Sequence, residues 1–170
     1  MRRAFAWQHW CERMATEIER KFLVNGTDWR QGVPVRLCQG YLNRDEARTV
    51  RVRIAASRAY LTIKGLTQGV SRPEFEYEIP FDDGQVLLAL CDGPLLQKDR
   101  YTVQHAGARW EIDEFLGANA GLVIAEIELE DERQGFERPS WLSTEVTGDP
   151  RYYNANLVGA PYQTWRHAAS

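Results

Sequence analysis

Glu17, Glu19 and Lys21 stand two residues apart in Thr16-Glu-Ile-Glu-Arg-Lys-Phe-Leu-Val24, with Ile18 and Phe22 on the alternate positions. In an extended chain this spacing lines two carboxylates and an ammonium along one face, with neighbours ~6.6 Å apart at ~3.3 Å rise per residue. Carboxylates so placed can share a divalent cation while the ammonium reaches an anionic oxygen. That combination suits phosphate chemistry. A half-buried strand with a charged solvent face has the same pattern, so this segment alone leaves both readings open.

The alternation recurs along the chain. Arg51 and Arg53 alternate with Val50, Val52 and Ile54; Thr62 and Lys64 alternate with Leu61 and Ile63. Arg72, Glu74, Glu76 and Glu78 share one face, as do Lys98 with Arg100, Arg109 with Glu111 and Asp113, and Glu126 with Glu128 and Glu130. An ordinary solvated sheet face would mix in Ser, Gln and Asn. Here the polar faces carry formal charge or Thr, which points several strands toward one common space.

Positioning those faces requires strands, predicted over 16–24, 35–42, 48–56, 58–65, 70–80, 95–105, 108–116 and 121–130. Turns are expected at Arg44-Asp45, Ala56-Ser57, Ala106-Gly107 and Gly117-Ala118-Asn119. Asp28 to Gly32 reads as a short helical turn. Asp82 to Cys91 reads as a helix with an acidic start and Asp92-Gly93 beyond it, and Asp149-Pro150 opens a short terminal helix. The Glu17–Phe22 and Glu74–Ile79 segments echo one another, which suggests a duplicated β-α-β-β-β unit. Eight antiparallel strands closed into a barrel would have no edges and an interior wide enough for a small ligand. Unpaired buried charge is costly, so the interior must be wet and its ions must compensate one another. The apolar residues then face outward beneath helices such as 84–91. The predicted class is α+β, an eight-stranded antiparallel barrel with a few flanking helices.

The chain has 170 residues, 44% hydrophobic and 26% charged, and a net charge of -3. One domain with a sizeable core is expected. The charge balance argues against a nucleic-acid partner, whose binders present an unbalanced basic surface. No apolar run of about 18 residues is present, so no membrane span is expected. Met1 to Arg13 lacks the apolar core of a secretory signal and reads as a disordered extension, with Met14 as an alternative start. The main domain is placed at 14–160 and a tail at 161–170. Cys11, Cys38 and Cys91 lack metal-ligand spacing and read as packing thiols in a reducing cytoplasm. His9, His105 and His167 form no constellation. Trp110, Trp141, Tyr152 and Tyr153 read as packing residues and not as a stacking platform.

In order, Glu17-Ile-Glu-Arg-Lys21, Arg51-Val-Arg53, Thr62-Ile-Lys64-Gly65, Arg72 with Glu74 and Glu76, Lys98-Asp-Arg100-Tyr101, Trp110-Glu-Ile-Asp113 and Ala125-Glu-Ile-Glu128-Leu-Glu130 resemble the CYTH superfamily, the triphosphate tunnel metalloenzymes. Glu145-Val-Thr-Gly-Asp149 and Arg151–Leu157 extend the resemblance, which covers residues 14 to 160. Ser143 departs from it, since related sequences carry Gly there, and a local turn is the feature affected. The resemblance implies Mg²⁺ or Mn²⁺ held by Glu17, Glu19, Glu126 and Glu128, and a phosphate chain gripped by Lys21, Arg51, Arg53, Lys64, Lys98 and Arg100. Arg72, Glu74 and Glu76 are expected to tune this network or touch substrate. Glu17, Glu19, Lys21 and Lys64 stand nearest the reaction, while Glu78, Arg109, Glu111, Asp113 and Glu130 are expected to be structural. The implied activity is metal-dependent hydrolysis of inorganic triphosphate, a small-molecule substrate. Adenylate cyclase chemistry, thiamine triphosphate hydrolysis and a non-catalytic nucleotide or polyphosphate sensor are the alternatives on the same scaffold. A homodimer is compatible with the sequence.

Overall fold

The computed structural model describes residues 16–166. Met1 to Arg13, the alternative start at Met14, and Cys11, His9 and His167 lie outside the described residues. Among those described, period-two alternation yields nine strands: β1 (Thr16–Val24), β2 (Val35–Asp45), β3 (Arg48–Ala55), β4 (Arg58–Gly65), β5 (Ser71–Ile79), β6 (Leu96–His105), β7 (Ala108–Phe115), β8 (Val123–Glu128) and β9 (Leu142–Glu145). Two helices accompany them, α1 (Phe81–Ala89) and α2 (Asn154–Gly159).

All pairings are antiparallel in the order β5-β4-β3-β2-β6-β7-β8-β1. β1 returns to β5 through Thr16↔Pro73, Glu17↔Arg72 and Ile18↔Ser71, which closes eight strands into a barrel. β9 takes the remaining stretch of the same β1 edge. β9 was not expected from the sequence; Ser143, expected to bear on a turn, lies inside it.

The β3–β4 and β6–β7 hairpins turn at the expected residues. Ala56 and Ala106 adopt φ of 51° and 49°, the left-handed conformation that fits a tight turn to the twist of the strands. The β2–β3 turn differs from expectation. β2 continues to Asp45, which pairs with Arg48 while its carboxylate accepts the Ala47 N–H at 2.8 Å. The turn therefore falls at Glu46–Ala47. Between β1 and β2 there is no helix, only a turn in which the Arg30 N–H donates to Thr27 O at 2.9 Å. The β-α-β-β-β pattern is thus complete only from β5 onward. The terminal helix is also split: a 3₁₀ turn at Pro150–Tyr152, capped by Asp149 accepting from the Arg151 N–H, is separated from α2 by extended Tyr153.

The apolar faces point outward, and loops cover most of them. Phe22, Val103, Trp110, Ile112, Ala125 and Ile127 form a core with Trp29, Phe136 and Trp141 from connecting segments. Trp110 meets Phe22, Phe136 and Trp141 edge-on at centroid distances of 5.9, 5.5 and 5.6 Å. The expected helix lies mainly over β3 and β4 and also touches β2. There α1 seats Gly84 on Ala59, where an added Cβ would stand 2.4 Å from the Ala59 Cβ.

A second core fills one end of the barrel. Leu96 lies opposite Gln39, Phe115 opposite Lys98 and Ile124 opposite Asp113, so these apolar side chains share the inner face with the charged ones. They pack with Tyr41, Leu122, Val146, Tyr152, Leu157 and Val158. Asn119 fastens this cap, donating to Leu157 O and accepting the Tyr162 N–H at 2.7 Å. Tyr162 and Trp165, in the segment the sequence places in a tail, pack against it. The tunnel is thus closed at this end by an apolar floor, which makes its charged interior a cup. No helix of the described residues is long and apolar enough to cross a membrane.

Candidate active site

Register carries the charged faces inward. On β1 and β8, Lys21 is opposite Glu126 and Glu19 is opposite Glu128. β3 brings Arg51 opposite Thr62 of β4; β5 brings Glu76 opposite Thr62 and Glu74 opposite Lys64. Glu17 is opposite Arg72, and on β6 and β7 Arg100 is opposite Asp113. The site residues singled out from the sequence therefore share the inner faces of the strands, but Lys98, expected to grip phosphate, is enclosed beside Asp113 and not open to the space.

The ions answer one another in clusters. Lys64 pairs with Glu17 at 2.9 Å and Glu74 at 2.8 Å, and Arg72 reaches Glu17 at 2.7 Å. Glu76 gathers Arg51 at 3.2 Å and Arg53 at 2.9 Å and accepts the Thr62 hydroxyl at 2.8 Å. Lys21 bridges Glu19 and Glu126, each at 2.5 Å. Arg100 holds Asp113 with two nitrogens, at 2.7 and 2.6 Å, contacts Glu126 at 3.0 Å and pairs with Glu111. Lys98 pairs with Asp113 and is only 1% exposed.

These environments push the carboxylates apart. Burial opposes the charge of Glu17, yet Lys64 and Arg72 outweigh it and hold the carboxyl well below its usual range. Burial likewise opposes Glu126, which Lys21, Lys98 and Arg100 keep ionised. Glu19 goes the other way: burial and the neighbouring Glu126 push it up to about 7 despite Lys21. Burial, Glu17 and Glu111 also raise Glu128. Burial depresses Lys64, with Arg51 adding to the effect, and brings Lys98 to about 8.

Among the described residues no three His, Cys, Asp or Glu groups form a ready cage for a metal. The reason is local: Glu17 and Glu126 are occupied by Lys and Arg. Glu19 and Glu128 face each other across β1 and β8, and both resist ionisation. A cation between them would relieve that resistance. Their hard oxygens fit Mg²⁺ or Mn²⁺, and Mg²⁺ commonly takes only one or two carboxylates and completes its shell with water and substrate phosphates.

Thr62, Tyr60, Gln39 and Tyr41 also face inward and were not singled out from the sequence as site residues. The last two lie opposite Arg53 and Arg51, and the Gln39 amide donates to the Tyr41 hydroxyl at 3.1 Å. From Val35 to Tyr41 the inner face of β2 carries no charge, so its alternation gave no signal beyond the strand itself. Glu78 and Arg109, expected to be structural, stand at half or greater side-chain exposure in pairs with Arg58 and Glu111. Trp110 and Tyr152 are buried in the two cores, as expected.

A CYTH domain family model matches residues 15–153. An inorganic triphosphatase of Acetivibrio thermocellus is 50% identical over 157 residues, covering 90% of this chain and 99% of that protein. One from Nitrosomonas europaea is 36% identical over 147 residues, covering 84% and 97%. A crystal structure of an inorganic triphosphatase superposes with a TM-score of 0.60 at 33% identity, covering 84% of this chain and 97% of that one.

Proposed function

Because the chain belongs to the CYTH domain family, we propose that it hydrolyses inorganic triphosphate to pyrophosphate and phosphate inside the cup. The observation that carries this reading is the convergence of Lys21, Arg51, Arg53, Lys64, Arg72 and Arg100 in one space closed below by apolar side chains. Phosphoryl transfer asks a protein chiefly to position the phosphates and to stabilise charge. Guanidinium groups suit phosphate oxygens because their planar forks donate in pairs. An entering triphosphate exchanges the Glu76 carboxylate for phosphate oxygens at Arg51 and Arg53, and Glu17 and Glu74 for phosphate at Lys64. Lys21 holds its position between Glu19 and Glu126 and presents charge to the phosphate nearest them. A divalent cation held at Glu19, Glu126 and Glu128, with Glu17 beside it, would neutralise phosphate charge and lower the pKa of a bound water. Released carboxylates stay close enough to return when the products leave.

The reading favours inorganic triphosphate over nucleotides. Tyr60, the inward aromatic ring of β4, already holds the guanidinium groups of Arg53 and Arg58 at 5.2 and 5.3 Å, so a base stacking there would have to displace them. The test compares kcat/KM for triphosphate, ATP and thiamine triphosphate with Mg²⁺ and with Mn²⁺, resolving products by chromatography. Preferential conversion of triphosphate to pyrophosphate and phosphate is the expected result. Cyclic AMP as the main product, or tight binding with no turnover, would overturn it.

A further inference from the structure

The Asp113 side chain is wholly enclosed, so it cannot meet a substrate in the cup. Both of its oxygens accept from cations of the neighbouring strand. One oxygen accepts from Arg100 Nε at 2.7 Å, and the other from the Arg100 terminal nitrogen at 2.6 Å and from Lys98. Beneath them Lys98 stands over the Phe115 ring, 5.4 Å from its centroid. Asp113 thus grips the Arg100 fork along one side. The nitrogen it leaves free pairs with Glu111, whose side chain is 25% exposed and closer to solvent.

Resting on the proposed triphosphate reading, we infer that Asp113 is a positioning residue: it fixes the Arg100 guanidinium from behind, so that the free side of the fork is presented to the phosphate chain. Two physical arguments lead there. An arginine side chain has many rotamers, and a bidentate carboxylate contact selects one before substrate arrives, reducing the ordering cost of binding. The charges can also be buried together: Asp113 alone could not balance both Lys98 and Arg100, but Glu126 and Glu111 on the open side of Arg100 complete the compensation. The same construction occurs across the cup, where Glu76 binds Arg51 and Arg53, but Glu76 is partly exposed and can yield to substrate. Asp113 cannot.

The test is a double-mutant cycle in the full chain with D113N, K98M and K98M/D113N, read by calorimetric titration of sodium tripolyphosphate in EDTA and by steady-state kinetics. K98M removes the charge that Asp113 would otherwise leave unpaired, so the K98M/D113N interior stays compensated. If Asp113 positions Arg100, loss of the fixed fork outweighs the repulsion relieved by removing a charge behind the guanidinium, and D113N weakens triphosphate binding ~10-fold or more in both the wild-type and the K98M background, with KM rising more than kcat falls. If Asp113 only neutralises Lys98, D113N has no effect once Lys98 is Met, and the inference is overturned. Failure of both D113N and K98M/D113N to fold would assign the pair to structure and overturn it equally. Wild-type protein that does not bind triphosphate would refute the proposed function instead, which keeps the two failures apart.

Discussion

Replacing Glu126 with Gln should separate phosphate binding from turnover. The Glu126 side chain is 9% exposed and its carboxylate is kept ionised by Lys21, Lys98 and Arg100 against the cost of burial, so the substitution removes a full charge at neutral pH while keeping the shape. Removing one partner of a buried ion pair costs ~3–5 kcal/mol when the other is orphaned. Neither cation is orphaned here: Lys21 keeps Glu19 at 2.5 Å, and Arg100 keeps Asp113 and Glu111. The expected stability loss is therefore ~1–2 kcal/mol, lowering Tm by ~2–8 °C in a protein of this size. A unit charge removed ~5 Å from a phosphate oxygen is worth ~3 kcal/mol at an effective dielectric of about 20. Triphosphate measured in EDTA should consequently bind more tightly to E126Q, by up to ~100-fold, while turnover with Mg²⁺ falls at least ~100-fold. Calorimetric titration and product assay give the two numbers. A variant that turns over at the wild-type rate under limiting Mg²⁺, or that binds metal-free triphosphate more weakly, would refute the assignment of Glu126 to the metal side of the site.

Removing Arg51 or Arg53 by Ala substitution should weaken triphosphate binding ~10-fold or more, since each offers donors that suit phosphate oxygens; unchanged affinity by titration would take them out of the site. For Glu19 the pH dependence has a definite sign. Its folded pKa, about 7, lies above the ordinary carboxylate value, so the native state binds more protons than the unfolded chain and stability falls as pH rises from about 4.5 to 7. E19Q should therefore raise Tm more at pH 8 than at pH 5, in thermal melts without divalent cation, and an equal change at both would contradict the shift. G84V should destabilise by ~1–3 kcal/mol through overpacking against Ala59, seen in denaturant melts, while KM for triphosphate stays unchanged because α1 lies outside the barrel. L157A should cost ~2–5 kcal/mol through a cavity in the apolar floor, and a smaller loss would mean that the cap is not tightly packed.

The period-two placement of charge and apolar side chains determined the strands, their inner faces and the family resemblance, because side-chain direction in a strand is a local property of spacing. For that reason Glu17, Arg51, Lys64, Arg72, Arg100 and Glu126 could be assigned to one interior before any distance was known. Tertiary structure decided what spacing cannot encode. Which carboxylate faces which cation depends on register between strands distant in sequence: Glu17 is bound by Lys64 and Arg72, whereas Glu19 is left beside Glu126 and resists ionisation. Tyr41 and Gln39 became interior groups only when β2 closed against β3 and β6, since their own strand carries no charge pattern. The floor made by Phe115, Ile124 and Leu157 likewise arises from three separate segments. It closes one end of the expected tunnel, because apolar side chains brought together there from separate segments bury one another and exclude water.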